Sequence, residues 1–269
     1  MNTAAKRGPL VIIGGAEDRD GDCIVLREFV RLAGGLKAHI AVMTAATSLP
    51  KEVGDDYIRI FKRLGAELVD LVHTECRDDS QRDENIHIVE QATGIFFTGG
   101  DQSRIVEFIR ATPLDDAMHK RHEEGVVIGG TSAGAAMMPD EMIVGGLSVS
   151  NPSVNAVSMG PGMGFLPEVV IDQHFAQRGR LGRLLAALVQ QPTMLGLGID
   201  EDTAIIVNGD EFRVVGRGAV TVVDESTATH NNLAGLLKDE AIALCGVKLH
   251  ILPHGYRFNL KTHQPLIES

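Results

Sequence analysis

VVIGGTSAG, residues 126–134, is an apolar run that ends in a cluster of small residues around a serine. This order is typical of a nucleophile elbow, in which a strand turns sharply into a helix. Small flanking residues allow the turn, and the turn lifts the Ser132 hydroxyl to the carboxyl end of a sheet. A tight packing turn between a strand and a helix has the same composition. The stretch therefore predicts a buried strand and makes Ser132 a candidate nucleophile.

Similar apolar runs alternate with amphipathic segments before this turn. We predict strands at residues 10–13, 39–43, 67–72, 94–98 and 126–129, and helices at 22–33, 52–64, 85–91, 103–111 and 113–124. This alternation is typical of an α/β fold with a mostly parallel sheet covered by helices on both faces. After residue 203, the turn Asn208-Gly209-Asp210 predicts a hairpin, and further runs at 218–223, 241–252 and 256–260 predict antiparallel strands that extend the sheet. We see no linker, so we predict one domain over residues 1–269.

Composition excludes several classes of function. The chain has 269 residues, a net charge of −11, no Trp and only 4% aromatic residues. Nucleic-acid binding is disfavoured, because it needs a surplus of basic residues and stacking side chains. The three cysteines, Cys23, Cys76 and Cys245, have no spacing typical of a zinc site or a disulfide framework. We find neither a secretory signal nor a membrane span, so we predict a cytoplasmic protein.

A base and an orienting carboxylate should lie at the same edge of the sheet as Ser132. Among ten histidines, His174 follows an apolar strand end directly and can reach that edge. The run at residues 195–199 ends in Asp200, Glu201 and Asp202. Alternation along a strand puts Glu201 on the opposite face from the other two acids. The sequence alone does not decide which face meets His174.

Several motifs together resemble the cyanophycinases. They are IIGGAED at residues 12–18, FTGGDQ at 97–102, the elbow, DQHF at 172–175 and GLGIDEDT at 196–203. The glycine spacing of the first motif does not fit a dinucleotide fingerprint, and we interpret this motif as a turn that shapes a gap beside the active site. Cyanophycinases are serine exopeptidases of the class I glutamine amidotransferase-like fold, and they release β-aspartyl-arginine dipeptides from cyanophycin, a polyaspartate with arginine on its side chains. The resemblance implies this fold and activity.

The resemblance also implies roles for individual residues. It puts the catalytic triad on Ser132, His174 and Glu201, and it implies no cofactor and no metal. The backbone N–H of Ala133, at the start of the helix after the elbow, is one expected oxyanion donor, and that of Gly100 is the second.

Three arginines follow His174 closely at the start of a predicted helix, where the helix dipole disfavours cations. We interpret them as grips for substrate carboxylates, with pairing to nearby acids as the structural alternative. Asp172 could receive a substrate arginine, or it could pair with these arginines. We predict a loop that walls the pocket at residues 148–163. The expected substrate-binding residues are Gln102, Asp172, Gln173, Arg178, Arg180 and Arg183.

Three other functions compete with this one. The first is a dipeptidase for α-linked aspartyl peptides, since the choice of substrate rests on the resemblance. The second is a non-catalytic binding protein on the same scaffold, which the intact triad disfavours. The third is a glutamine-amide-transferring subunit, which would have Cys in place of Ser132. The resemblance implies a homodimer that acts on the cyanophycin polymer.

Overall fold

The computed structural model of the chain describes residues 7–146, 151–236 and 240–267. Its helices are α1 Ile24–Leu32, α2 Pro50–Arg63, α3 Asp83–Gln91, α4 Gln102–Ile109, α5 Pro113–Glu123, α6 Ala133–Ala136 and α7 Leu181–Gln190. Its strands are β1 Leu10–Ile13, β2 His39–Met43, β3 Leu68–Val72, β4 Gly94–Phe97, β5 Val127–Thr131, β6 Glu141–Gly146, β7 Val157–Pro161, β8 Val169–Gln173, β9 Leu195–Ile199, β10 Thr203–Asn208, β11 Glu211–Gly216, β12 Ala219–Asp224, β13 His230–Asn231, β14 Leu244–Cys245, β15 Lys248–Pro253, β16 Arg257–Asn259 and β17 Gln264–Leu266.

A nine-stranded sheet forms the centre of the fold, in the order β17-β16-β11-β10-β1-β5-β4-β2-β3. The strands from β1 to β3 in this order pair in parallel, and the strands from β10 to β17 continue the sheet antiparallel. β10 and β11 form the hairpin predicted at Asn208. The predicted α/β class with antiparallel C-terminal strands is therefore confirmed.

A second sheet of four strands, in the order β15-β12-β9-β8, holds the strands that precede the predicted base and acid. The prediction that every late strand extends the central sheet is wrong for β12 and β15, which pair in this second sheet. The run at residues 241–252 also gives only the short β14 and then β15. Hydropathy indicates that a strand is buried. It does not indicate which strand pairs with it, because that depends on contacts between residues far apart in the chain.

The helices cover the central sheet through apolar faces of helical period. In α1, Val25, Leu26, Phe29 and Val30 are buried together. Phe29 lies within 5.6 Å (ring centroids) of Phe61 from α2 and within 5.1 Å of Phe96 from β4. The strands between the helix layers are continuous buried runs, as expected for parallel strands buried on both faces.

An antiparallel hairpin of β6 and β7 lies between the elbow and the predicted base. The loop predicted at residues 148–163 is therefore wrong for β7, whose residues pair with β6. Residues 148–150 of that prediction lie outside the described residues. Across the three described ranges, no helix is long and apolar enough to cross a bilayer.

Candidate active site

The turn after β5 has the geometry of a nucleophile elbow. Ser132 has φ 52° and ψ −106°, a strained conformation for a residue with a side chain. A Cβ on Gly130 would lie 2.2 Å from the Gly134 carbonyl oxygen, and one on Gly134 would lie 2.6 Å from that of Phe97. Only glycine fits at these two positions, and the tight turn exposes the serine where β5 ends.

Ser132, His174 and Glu201 form one hydrogen-bonded row. Ser132 Oγ lies 3.0 Å from His174 Nε2, and His174 Nδ1 lies 2.6 Å from Glu201 Oε1. His174 is 8% exposed, and the Glu201 side chain is 35% exposed. Acyl transfer requires a nucleophile, a base that contacts it and a group that orients the base. The contacts of Ser132, His174 and Glu201 are suited to these three parts in that order.

The two acids beside Glu201 have other partners. The Asp200 carboxylate accepts the N–H groups of Ala176 and Ala219 at 3.0 and 3.1 Å. Asp202 Oδ1 accepts the N–H of Asp18 at 2.8 Å. The sequence left open which of the three carboxylates meets His174. In the structure, only Glu201 of the three contacts the imidazole.

Burial is the largest influence on the protonation of His174, the candidate base. Removal from water lowers the pKa of His174 from its ordinary value, and the positive charges of Arg178 and Arg180 lower it further. The hydrogen bond to Glu201 opposes these effects. The imidazole is therefore neutral at pH 7, and a neutral imidazole can accept the serine proton.

Asp172, Arg180 and Arg183 form a buried cluster beside the row. The Asp172 side chain has no exposed surface, and it accepts from Arg183 Nε at 2.9 Å, from Arg183 Nη2, and from Arg180 Nη1 at 3.3 Å. Arg180 Nη1 also contacts the Gln173 backbone and side-chain oxygens at 2.5 and 2.9 Å. Of the two roles considered for Asp172, the contacts are those of the structural partner, because its oxygens are taken by the arginines.

This cluster carries a net positive charge, since two guanidinium groups face one carboxylate. Burial lowers the pKa of Arg180 to about 10, with Asp172 opposing and Arg183 adding to the decrease. Arg180 is still charged at neutral pH. Arg178 differs from both, because it is exposed and its side chain has no hydrogen bond or ion pair with any residue that the structure describes.

The two backbone N–H groups expected as oxyanion donors belong to Ala133, at the elbow, and Gly100, just after β4. A Cβ on Gly99 would lie 3.4 Å from Ser132 Cβ and 4.0 Å from Ser132 Oγ, so Gly99 directly adjoins Ser132. The N–H groups of Ala133 and Gly100 donate to no carbonyl in the described ranges. Gln102 Nε2 donates to the Ile143 and Val144 carbonyls of β6 at 2.8 and 3.0 Å, which joins this side to the hairpin.

The profile of Peptidase family S51 matches residues 10–215, which include all of the row. The chain belongs to this family. It is 43% identical over 264 residues to the cyanophycinase of Geminocystis herdmanii, covering 97% of this chain and 96% of that one. It is 39% identical over 258 residues to the cyanophycinase of Trichormus variabilis, covering 95% and 87%. The prediction of a serine-type peptidase is confirmed.

A solved structure gives the same fold for this S51 peptidase. The peptidase from an acI-B1 Actinobacterium superposes with a TM-score of 0.69 at 21% identity, covering 95% of this chain and 98% of that one. At this identity, the likeness concerns the fold alone.

Sequence reasoning missed Gln177 and did not assign a contact to Gly15. Gln177 Oε1 accepts the N–H of Glu201 at 3.0 Å and so holds the turn that carries the acid. Gly15 lies against the His174 ring, since a Cβ there would come within 2.4 Å of Cε1. No local pattern marks the glutamine. Gly15 belongs to the motif that we interpret from the sequence as a turn beside the active site.

The rate at which Ser132 reacts should fall at acidic pH as His174 becomes protonated. We expect Arg178→Ala to shift this acid limb of the pH–rate profile to higher pH. The positive charge of Arg178 lowers the pKa of His174, so its removal raises that pKa, and the imidazole then becomes protonated at a higher pH. The measurement is the rate of inactivation by a small neutral serine-directed reagent between pH 4 and 9. Arg59→Ala, an exposed arginine on α2, is the matched control and should leave the profile in place. An unchanged acid limb in Arg178→Ala would contradict the assigned cause.

Proposed function

We propose that this S51 peptidase hydrolyses cyanophycin and releases β-aspartyl-arginine dipeptides. The observation that carries this proposal is the 43% identity to a cyanophycinase over 97% of the chain. The hydrogen-bonded row of Ser132, His174 and Glu201 supports it chemically, since amide hydrolysis needs an activated nucleophile. The buried cluster of Asp172, Arg180 and Arg183 supports it as well, because its net positive charge would attract the carboxylate groups of the polymer.

The mechanism that we propose is acyl transfer. Ser132 Oγ attacks a backbone aspartyl carbonyl carbon while His174 Nε2 takes its proton, and the amide bond breaks as that proton passes to the leaving nitrogen. Water then attacks the ester, with His174 again as base, and releases the acid and the free serine. Glu201 stabilises the charged imidazole. The N–H groups of Ala133 and Gly100 would stabilise the oxyanion.

The proposed substrate contacts divide by exposure. Arg178 is free to bind a carboxylate of the polymer directly. Arg180 and Arg183 would supply the positive field, and Asp172 would hold their guanidinium groups in place. Gln102 and Gln173 complete the proposed set; their side chains already contact β6 and Arg180, and these contacts orient them.

The test is mass spectrometry of the soluble products after the purified protein is mixed with insoluble cyanophycin. We expect β-aspartyl-arginine from the unmodified protein and none from Ser132→Ala, whose folding is checked by its thermal transition. Release by both proteins would refute the nucleophile. No release by a folded unmodified protein would refute the substrate, and α-aspartyl dipeptides would be assayed next.

We further propose, on the resemblance to cyanophycinases, a homodimer in the cytoplasm. Light scattering after size-exclusion chromatography should give twice the mass of the 28.8 kDa chain. A mass equal to one chain at micromolar concentration would refute the dimer.

We also propose that residues 1–269 form a single domain. The contacts between the two sheets support this, because Gly14, just after β1, bonds to a residue at each of them: its carbonyl accepts the N–H of His174, which follows β8, and its N–H donates to the carbonyl of Thr203 in β10. Calorimetric and van't Hoff enthalpies of unfolding should then agree, as expected for one cooperative unit.

A further inference from the structure

Three consecutive carbonyls, at the last residue of β1 and the two residues after it, accept hydrogen bonds from the three segments that carry Ser132, His174 and Glu201. The carbonyls at positions 13, 14 and 15 accept, in this order, the N–H groups of Ser132 at 3.1 Å, His174 at 2.8 Å and Asp202 at 2.9 Å. Asp202 directly follows Glu201. One short stretch of backbone therefore sets the relative positions of the nucleophile, the base and the acid, although these come from two different sheets.

Gly15 also forms the surface on which the imidazole rests. A Cβ at this position would lie 2.4 Å from His174 Cε1, 2.5 Å from Nε2 and 3.0 Å from Nδ1. Its φ of +96° is one that residues with side chains rarely adopt. Any side chain at position 15 would displace the ring edge that faces Ser132.

The residues after Gly15 are anchored in the core. The Glu17 side chain is fully buried and accepts the hydroxyls of Tyr57 and Thr131, each at 2.5 Å. Thr131 directly precedes Ser132. Burial, followed by the charge of Glu17, raises the pKa of Tyr57, so its hydroxyl stays protonated and donates. The backbone that carries Gly15 is thereby fixed to the elbow.

We propose that Gly15 is a positioning residue that holds the His174 imidazole in line with Ser132. Its bare Cα supports the ring, and its carbonyl fixes the turn that carries Glu201. The proposal rests on the proposed catalytic row, and it assigns a chemical role to the Gly-Gly motif near the start of the chain.

The test is Gly15→Ala, assayed on cyanophycin and with a small serine-directed reagent. A displaced base costs its general-base contribution, so we expect kcat to fall by about 10²–10⁴-fold with KM within about twofold of the unmodified value. Inactivation by the reagent should slow by a similar factor. Gly255→Ala is the matched control, because Gly255 has φ +87° and no atom within 4 Å of an added Cβ. It bears the same backbone strain but should keep full activity.

Two results would overturn the proposal. One is a folded Gly15→Ala that reacts with the reagent at the unmodified rate, and the other is an equal loss in Gly255→Ala. If the reagent also modifies Ser132→Ala, the catalytic row itself fails, which is a separate outcome.

Should Gly15→Ala not fold, Asp202→Ala loosens the acid turn against the segment that carries Gly15. The Asp202 N–H still donates to the Gly15 carbonyl, but the carboxylate no longer accepts the Asp18 N–H. If contact with this segment positions the turn of Glu201, inactivation should slow at least about tenfold, and an unmodified rate would overturn the proposal that the segment positions the row.

Discussion

His174→Ala should lower kcat for cyanophycin hydrolysis by about 10⁶-fold, the loss that follows removal of the base in a triad that acts as a unit. His174 Nε2, at 3.0 Å, is the acceptor placed for the Ser132 proton. Without it, the serine must attack as a neutral hydroxyl, and the leaving amine receives no proton. The remaining activity would come from binding and the oxyanion donors.

Glu201→Gln should cost less, about 10⁴-fold, because the imidazole would remain but lose the charge that stabilises its protonated form and fixes its tautomer. The double variant should be no slower than His174→Ala, since both changes disable one step. Product release measured by mass spectrometry covers this range. His87→Ala, an exposed histidine on α3, is the control and should keep full activity. A His174→Ala protein with kcat within about tenfold of the unmodified value would refute the assignment.

Features set by local sterics and hydropathy could be predicted from the sequence. The five parallel strands and the helices between them lie within one or two residues of the predicted bounds, because each is a buried run or an amphipathic period. The elbow was also predictable, since Gly130 and Gly134 leave no room for a Cβ. Ser132 and His174 could be singled out because each directly follows the carboxyl end of a buried strand, but the expectation of one shared sheet edge is wrong, since β5 and β8 belong to different sheets.

Features that depend on distant partners were not predictable. The choice among Asp200, Glu201 and Asp202 depends on backbone N–H groups that come from Ala176, Ala219 and Asp18. The second sheet and the β6–β7 hairpin depend on strand pairing that hydropathy does not encode.

The role of Asp172 also could not be predicted from the sequence, because it depends on its contacts with Arg180 and Arg183. Asp172→Ala should lower the free energy of unfolding by about 3–5 kcal/mol, the usual cost of removing one partner of a buried ion pair. Two guanidinium groups, on Arg180 and Arg183, would lose the carboxylate between them while their side chains stay 8% and 7% exposed. Burial already lowers the pKa of Arg180 to about 10, so this site tolerates its charge only at a cost.

Urea unfolding at pH 7 measures this loss, with an unchanged m-value as the sign that only stability has changed. Asp56→Ala is the matched control, because Asp56 pairs with Arg59 on the exposed face of α2, where an ion pair contributes less than about 1 kcal/mol. Equal losses of unfolding free energy in Asp172→Ala and Asp56→Ala would mean that the buried cluster contributes no more to stability than an exposed ion pair. A large loss in Asp172→Ala alone would mean that Asp172 stabilises the two buried guanidinium groups, which is the structural role that its contacts with Arg180 and Arg183 indicate.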